Sequence, residues 1–436
     1  MSRRGRERGA VLSRALRRGA SGDESTAADP TFMARALALA RRGAGMTSPN
    51  PMVGAVLVSG GKVIAEGWHA RFGGPHAEPR LLDALRRAGK RVPSDAILYV
   101  TLEPCTYEGK TPACVDLLRG TPIRRLVVGA TDPNPRVRGR GLRILREEGW
   151  QVATGILEED ARLLNLPFDL AHRRGRARVT LKIASSLDGK VADEGGSSRW
   201  ITGPAARQVV GRLRLRADAI VVGRGTVFSD DPRLQPGGRA GRSPSRIVID
   251  TRLAGDPDCR LARLFRSERG RGLEPAEAVA GNWSLVRSGG RSRWIRRPRL
   301  IVACSNPSPR RAALFRRKGW EVWNLPARGG GVDLPSLARH AALEGLLDLL
   351  VEPGPRLAAG FLREGPVDRI FLFLAPRIVG GPNGWGSRIA GLPLRRAVRT
   401  PLLELSTACG PDLALLLQHR SGRPLVSPRD DPRRML

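Results

Sequence analysis

From residue 31 the apolar positions follow helical spacing. Phe32, Ala36, Leu37 and Ala40 recur three and four apart behind Asp29-Pro30 and predict a helix over 31–44. Thr47-Ser48-Pro49-Asn50-Pro51 interrupts that period as a turn. Apolar runs over 53–58 and 62–67, separated by Ser59-Gly60-Gly61, read as a strand pair. A helix is expected over 76–88 behind Pro75, a buried strand over 96–102, a second helix over 111–119 and a strand over 125–131. A second unit starts near Arg178, with strands expected over 179–184, 219–222, 246–250, 300–303 and 347–352 and a helix over 357–363. Strands alternating with helices imply an α/β fold with largely buried sheets. Residues 255–298 break the rhythm with Arg, Gly and Ser and read as a partly disordered surface insertion. No internal repeat is visible.

Length and composition sharpen this outline. A chain of 436 residues is long for one core, so two domains are expected. Residues 1–30, rich in Arg, Ser and Gly, read as a disordered basic tail. A transit peptide is the weaker alternative, because Glu7, Asp23 and Glu24 are out of place in one. Residues 421–436 read as a second disordered tail. No apolar run reaches the ~18 residues of a membrane span. Five cysteines without a secretory signal point to a reducing, cytoplasmic location rather than a disulfide framework.

The formal net charge of +34 invites a nucleic-acid reading. Against it, the arginines are scattered from end to end, and aromatics are only 4% of the chain, too few for base-stacking platforms. A general preference for Arg explains the charge without a specific nucleic-acid partner. Lysine is rare, at positions 62, 90, 110, 182, 190 and 318, so its placement near motifs is itself a signal.

The chemistry is concentrated in two short segments. Pro75-His76-Ala77-Glu78 precedes Glu103-Pro104-Cys105, and Cys114 follows after eight residues. His-x-Glu followed by Pro-Cys and a second Cys is a zinc deaminase signature. His76, Cys105 and Cys114 offer zinc three ligands and leave one position open, as a catalytic site requires. Glu78 is the candidate proton shuttle. His76 and Cys105 are expected at the starts of helices, where the partial positive charge favours a thiolate. A closed structural zinc site, or a core His beside two ordinary buried cysteines, is the bland alternative.

Together these segments resemble the bacterial bifunctional riboflavin-biosynthesis family, in which a pyrimidine deaminase is fused to a pyrimidine reductase. The resemblance covers roughly 31–420. Its first half rests on Thr47-Ser48-Pro49-Asn50-Pro51, Gly67-Trp68-His69, the zinc segments with their eight-residue gap, Gly109-Lys110-Thr111-Pro112 and Asp132-Pro133-Asn134-Pro135. Its second half rests on Leu181-Lys182, Ser186-Leu187-Asp188-Gly189-Lys190, Trp200-Ile201-Thr202, Gly223-x-Gly225-Thr226-Val227, Ser229-Asp230-Asp231-Pro232 and Glu352-x-Gly354-Pro355.

The resemblance implies a cytidine-deaminase-like three-layer αβα domain over 31–175 and a dihydrofolate-reductase-like α/β domain over 176–420. It implies zinc and NADPH as cofactors, a pyrimidine ribosyl phosphate as substrate and a homo-oligomer formed through the reductase half. The implied reactions are hydrolytic deamination of a diamino-phosphoribosylamino-pyrimidinone and reduction of its ribosyl group to ribityl. By the same resemblance Asn50, His69 and Lys110 face the deaminase substrate. Trp200, Thr226, Asp230, Gly354 and Gly360 hold the cofactor, and Ser198, Arg214, Leu234 and Glu352 face the reductase substrate. Lys182 and Asp188 are expected near that site.

Two positions depart from the family pattern. Gly237 replaces an Arg three residues after Leu234, with Arg239 two further on, and Pro353 replaces a small residue. Two alternatives therefore stand beside the bifunctional reading: a chain in which only the deaminase half is active, and a nucleic-acid-binding deaminase that uses the basic surface.

Overall fold

The computed structural model describes residues 28–109, 112–235, 243–269, 278–288, 291–385 and 403–418. Its first unit begins with α1 (Pro30–Ala40), where Asp29 accepts a hydrogen bond from Thr31 N as N-cap. There follow β1 (Gly54–Ser59), β2 (Lys62–Trp68), α2 (Ala77–Arg87), β3 (Ile97–Leu102), α3 (Cys114–Arg119), β4 (Arg125–Ala130), α4 (Arg140–Glu147) and β5 (Gln151–Thr154). The sheet order is β2-β1-β3-β4-β5. The two pairings of β1 are antiparallel, and β3, β4 and β5 are parallel.

Alternation of side chains along β1 builds two apolar layers. Ala55 and Leu57 join Leu98, Val100 and the Leu81 and Leu85 of α2 on one face. Val56 and Val58 join Tyr99, Val127 and the Met33 and Leu37 of α1 on the other. Gly67 lets α2 approach the sheet closely: a Cβ there would lie 2.3 Å from Ala77 O. That approach brings the beginning of α2, and His76 with it, against the end of β2.

α5 (Glu158–Leu164) and α6 (Leu166–Arg174) lead into the second unit. It opens with β6 (Arg178–Ser186), α7 (Pro204–Arg216), β7 (Ala219–Gly223), α8 (Arg224–Asp230) and β8 (Ser245–Ile249). Next come α9 (Arg260–Arg269), β9 (Ala278–Ala280), β10 (Trp283–Ser288), β11 (Arg291–Arg296), β12 (Leu300–Cys304), α10 (Pro309–Arg317) and β13 (Glu321–Asn324). A short ribbon, β14 (Ala327–Arg328) and β15 (Gly331–Val332), precedes α11 (Leu334–Leu343), β16 (Asp348–Val351), α12 (Pro355–Glu364), β17 (Arg369–Ala375), β18 (Leu403–Cys409) and β19 (Asp412–Gln418). The main sheet runs β13-β12-β8-β7-β16-β6-β17-β19-β18, parallel from β13 to β17 with an antiparallel pair at the end.

Some local expectations shift. The first helix ends at Ala40 in a 3-10 turn rather than reaching 44. Cys105 does not start a helix; it lies in the loop after β3, and Cys114 is the first residue of α3. The described residues within 255–298 form a helix and three strands, where the composition suggested a partly disordered insertion. Leu261, Ala262 and Phe265 of α9 are buried in a core of the second unit with Phe315 and Trp320, while β9, β10 and β11 form a separate small sheet. The arginines of α9 obscure its helical apolar stripe in the sequence.

Candidate active sites

The ends of α2, β3 and α3 converge on three metal-binding side chains. The ligand atoms of His76, Cys105 and Cys114 lie within 4.8 Å of one another. His76 Nδ1 is 3.3 Å from Cys114 Sγ and 3.6 Å from Cys105 Sγ. Cys114 N donates to Cys105 Sγ at 3.4 Å, and Val115 N donates to Cys105 O at 3.1 Å. These bonds fold the intervening loop so that two cysteines eight residues apart share one point. Hydrogen bonding with Cys114 draws the Cys105 thiol down to about 4, and the Cys114 thiol rises in return. One imidazole nitrogen and two sulfurs, with no further ligand in the cluster among the described residues, suit zinc with an open position.

Glu78 stands one residue past the α2 start and is 2% exposed. Burial raises its carboxyl, and the neighbouring His76 charge and Cys114 thiol oppose the rise. A carboxyl so placed can both take and return a proton. His69 is also buried, and burial pulls its imidazole down to about 4, so it is neutral near pH 7. Its Nδ1 lies 3.0 Å from the carbonyl of Pro75, which can only accept, so Nδ1 carries the hydrogen. Nε2 is then the acceptor for the Asn50 side-chain amide at 3.3 Å. The His69 ring meets the His76 ring edge-on, with centroids 5.2 Å apart. Asn50 and His69 are thus brought to the zinc cluster; Lys110 lies outside the described residues.

Glu103 had no role assigned from the sequence, although it belongs to the Glu103-Pro104-Cys105 segment. Its buried carboxylate accepts from Asp132 N at 3.2 Å, Gly139 N at 2.9 Å and Gly141 N at 3.2 Å. It therefore ties the loop before α4 to the strand that presents Cys105. Asp132 accepts from Asn134 N at 2.8 Å and Asn134 from Arg136 N at 3.0 Å, so both side chains shape this loop.

The second site forms at the carboxyl ends of the parallel strands, where open α/β sheets bind ligands. Arg214 of α7 donates to both oxygens of Glu352, which follows β16, at 2.6 and 2.8 Å. Lys182 Nζ of β6 lies 3.6 Å from Glu352 Oε2. Burial would raise the Glu352 carboxyl, but the Arg214 and Lys182 charges hold it down at about 2. Arg214 also donates to Gln235 O at 3.0 Å, which brings in buried Leu234, a residue with φ +48°.

Gly354 is the N-cap of α12, with Thr226 of α8 beside it: a Cβ on Gly354 would lie 3.4 Å from Thr226 Oγ1. An open helix N-terminus next to a hydroxyl suits an anionic cofactor. Pro355 at the first turn of α12 removes only a backbone N–H that the helix itself cannot use. Asp230 is the last residue of α8. Trp200 is exposed under the Arg207 guanidinium, 4.5 Å from its ring centroid. Half-buried Ser198 lies in the same loop between β6 and α7. Gly360 sits inside α12, where a Cβ would meet Leu334 Cδ1 at 3.3 Å, so it serves helix packing. Exposed Asp188 accepts from Val379 N and Gly380 N at 3.2 and 2.8 Å and pins the loop after β17. Gly237 and Arg239 lie outside the described residues.

Comparison with known proteins agrees with this two-site arrangement. Residues 26–130 match the cytidine and deoxycytidylate deaminase zinc-binding region, and residues 177–413 match the RibD C-terminal domain. The riboflavin biosynthesis protein RibD of Actinobacillus pleuropneumoniae is 36% identical over 356 residues, covering 82% of this chain and 86% of that protein. The chain belongs to the RibD family. The Escherichia coli RibD is 34% identical over 404 residues, 89% of this chain and 99% of that one. The crystal structure of a diaminohydroxyphosphoribosylaminopyrimidine deaminase/5-amino-6-(5-phosphoribosylamino)uracil reductase from Thermotoga maritima has a TM-score of 0.73 at 31% identity, covering 89% of this chain and 98% of that chain. RibD membership accounts for both cofactors, zinc for the first unit and NADPH for the second. Among the described residues no helix is long and apolar enough to cross a membrane.

Proposed function

We infer that this RibD-family chain is a bifunctional enzyme of riboflavin biosynthesis. It deaminates a diamino-phosphoribosylamino-pyrimidinone and then reduces the ribosyl group to ribityl. The observation that carries the reading is the cluster of His76, Cys105 and Cys114 with buried Glu78 two residues after His76, in the first turn of α2. We place the deaminase over 31–175 and the reductase over 176–420.

His76, Cys105 and Cys114 would hold zinc, which would supply an activated water at neutral pH. Glu78 moves a proton from the water to the pyrimidine ring nitrogen and then to the departing amine, so that C–NH2 becomes C=O and ammonia leaves. Neutral His69, with its Nδ1 proton committed to Pro75, orients the Asn50 amide, and Asn50 meets the pyrimidinone edge. Lys110, in the loop between the two cysteines, is assigned to the substrate's ring oxygen or phosphate.

In the reductase half the residues named below would hold NADPH, which would supply the hydride needed at C1′ of the ribosylamino group. Trp200, Thr226, Asp230 and the Gly354 end of α12 hold the cofactor. Gly360 supports α12 from within. Ser198, Arg214, Leu234 and Glu352 face the substrate, with Glu352 kept ionised by Arg214 and Lys182 to accept hydrogen bonds from ribose hydroxyls. The five free cysteines suit a cytoplasmic location. Exposed Leu187 and Ile378 on adjoining loops suit a homo-oligomer formed through this half.

The test supplies the deaminase substrate and NADPH to zinc-loaded protein and follows ammonia and NADPH together. Matching ammonia release and NADPH loss is expected. Ammonia without NADPH loss leaves only the deaminase half active, and no ammonia removes the assignment.

A further inference from the structure

The turn that carries Asn50 is held from the other domain. Within the deaminase unit, Asn50 N donates to Thr47 O at 2.8 Å, and Phe72 N donates to Met46 O at 2.9 Å. Ser48, at the middle of this turn, looks outward. Its hydroxyl donates to Asp218 Oδ2 at 2.6 Å, and its carbonyl accepts from Trp283 Nε1 at 2.9 Å. The hydroxyl and the carbonyl of one turn residue are therefore both engaged by the reductase unit.

Neither partner is loose. Asp218 is 4% exposed and precedes β7 directly. The same Oδ2 accepts from Leu347 N at 2.8 Å and Asp348 N at 3.0 Å, at the start of β16, which locks the carboxylate to the sheet. Trp283 is 4% exposed. Its neighbour Asn282 donates to Asp218 O at 2.7 Å, so the small β9-β10-β11 sheet and the main sheet meet at Asp218. Trp283 and Trp294 also flank Phe72, with ring centroids 6.0 and 4.9 Å away.

On the deaminase side the connection continues inward. Asn50 donates to His69 Nε2, and the His69 ring meets that of the zinc ligand His76. A surface turn alone would sample several arrangements, because loops lack the packing that restrains helices and strands. Two inter-domain hydrogen bonds on Ser48 remove that freedom two residues from Asn50, and alignment of a substrate-facing group is what such restraint supplies.

We propose that the reductase domain positions the deaminase substrate turn, with Ser48 as a positioning residue for Asn50 and Asp218 and Trp283 as its anchors. This rests on the reading of Asn50 as a substrate-facing residue. It makes the deaminase site of this chain complete only in the presence of the second domain, which acts through Ser48.

The experiment uses full-length, zinc-loaded protein with Ser48→Ala, Trp283→Phe and the double variant, and Ser48→Thr as the hydroxyl-preserving control. The expected result is a KM for ammonia release raised about five- to tenfold in the double variant, the scale of one or two lost hydrogen bonds, with kcat changed much less. Zinc content and NADPH-dependent reduction of separately supplied deaminated intermediate are expected to stay at the wild-type level, and Ser48→Thr to restore KM. A double variant with wild-type KM, or one whose loss lies wholly in kcat, overturns the proposal. Should the double variant not fold, Ser48→Ala alone decides by the same readings. Asn50→Ala separates the underlying reading: an unchanged KM there would remove Asn50 from the substrate, whatever Ser48 does.

Discussion

Arg214 and Glu352 form a two-pronged ion pair across 138 residues of chain, with side chains 20% and 10% exposed. The pair joins the last turns of α7 to the carboxyl end of β16. It places an ionised carboxylate beside Lys182 where the sheet opens towards the helix N-terminus at Gly354. A buried carboxylate held at about 2 is stable only while both cations remain.

Replacing Arg214 with Ala should therefore destabilise the protein by on the order of 3–5 kcal/mol at pH 7, because Glu352 loses its main partner. The folded carboxyl at about 2 lies below the unfolded value near 4.3. Wild-type protein thus holds this contribution above roughly pH 4.5 and loses it as pH falls towards 2. In the variant Glu352 is raised by burial instead, so the gap between the two proteins should narrow over that range. Urea midpoints from pH 7 down to pH 3 measure it; a constant gap would contradict the pairing.

Glu78→Gln should leave zinc content unchanged and lower ammonia release by ~10²–10⁴-fold, since the amide cannot carry the proton. Reduction of the deaminated intermediate by NADPH should proceed at the wild-type rate. Parallel assays of zinc, ammonia and NADPH check all three, and a variant that retains most ammonia release would exclude Glu78 as the proton carrier.

Chelation of zinc, or Cys114→Ser, should abolish ammonia release while NADPH oxidation with the supplied intermediate persists. The two sites share no ligand, and Cys114 is far from Glu352 in the chain. Zinc added back after chelation should restore ammonia release. Simultaneous loss of both activities would show that the metal also maintains the reductase.

Gly73 stands at φ +72°, and a Cβ there would lie 2.6 Å from Trp294 Cδ1. Gly73→Ala should destabilise by on the order of 1–3 kcal/mol, from backbone strain with the clash added. A thermal melt shows it, and a variant with the wild-type Tm would mean that Trp294 is free to move away.

Much of the deaminase site was legible in the sequence. His76, Glu78, Cys105 and Cys114 lie within 39 positions, and their residue types nearly dictate the chemistry. The alternation of strands and helices was also readable, because each period reports which face is buried. Residues 255–298 were not. Leu261 and Phe265 of α9 stand among Arg260, Arg263 and Arg266, whose charge hides an apolar stripe, and Trp283 and Trp294 show their purpose only when Phe72 comes between them. Glu103 was visible in its motif, but its role depends on backbone N–H groups 29 to 38 residues away.

By itself the sequence determined the two α/β units and the His76, Cys105 and Cys114 donor set, and it singled out Glu78 as the candidate proton carrier, because these depend on local period and on side-chain chemistry at short spacing. Only the tertiary structure decided that Cys114 rather than Cys105 begins a helix, that Arg214 and Lys182 converge on Glu352, and that Ser48 is held by Asp218 and Trp283. The last two are contacts between groups 138, 170 and 235 residues apart. Their partners are chosen by how the sheets and helices pack, and no local pattern encodes that choice.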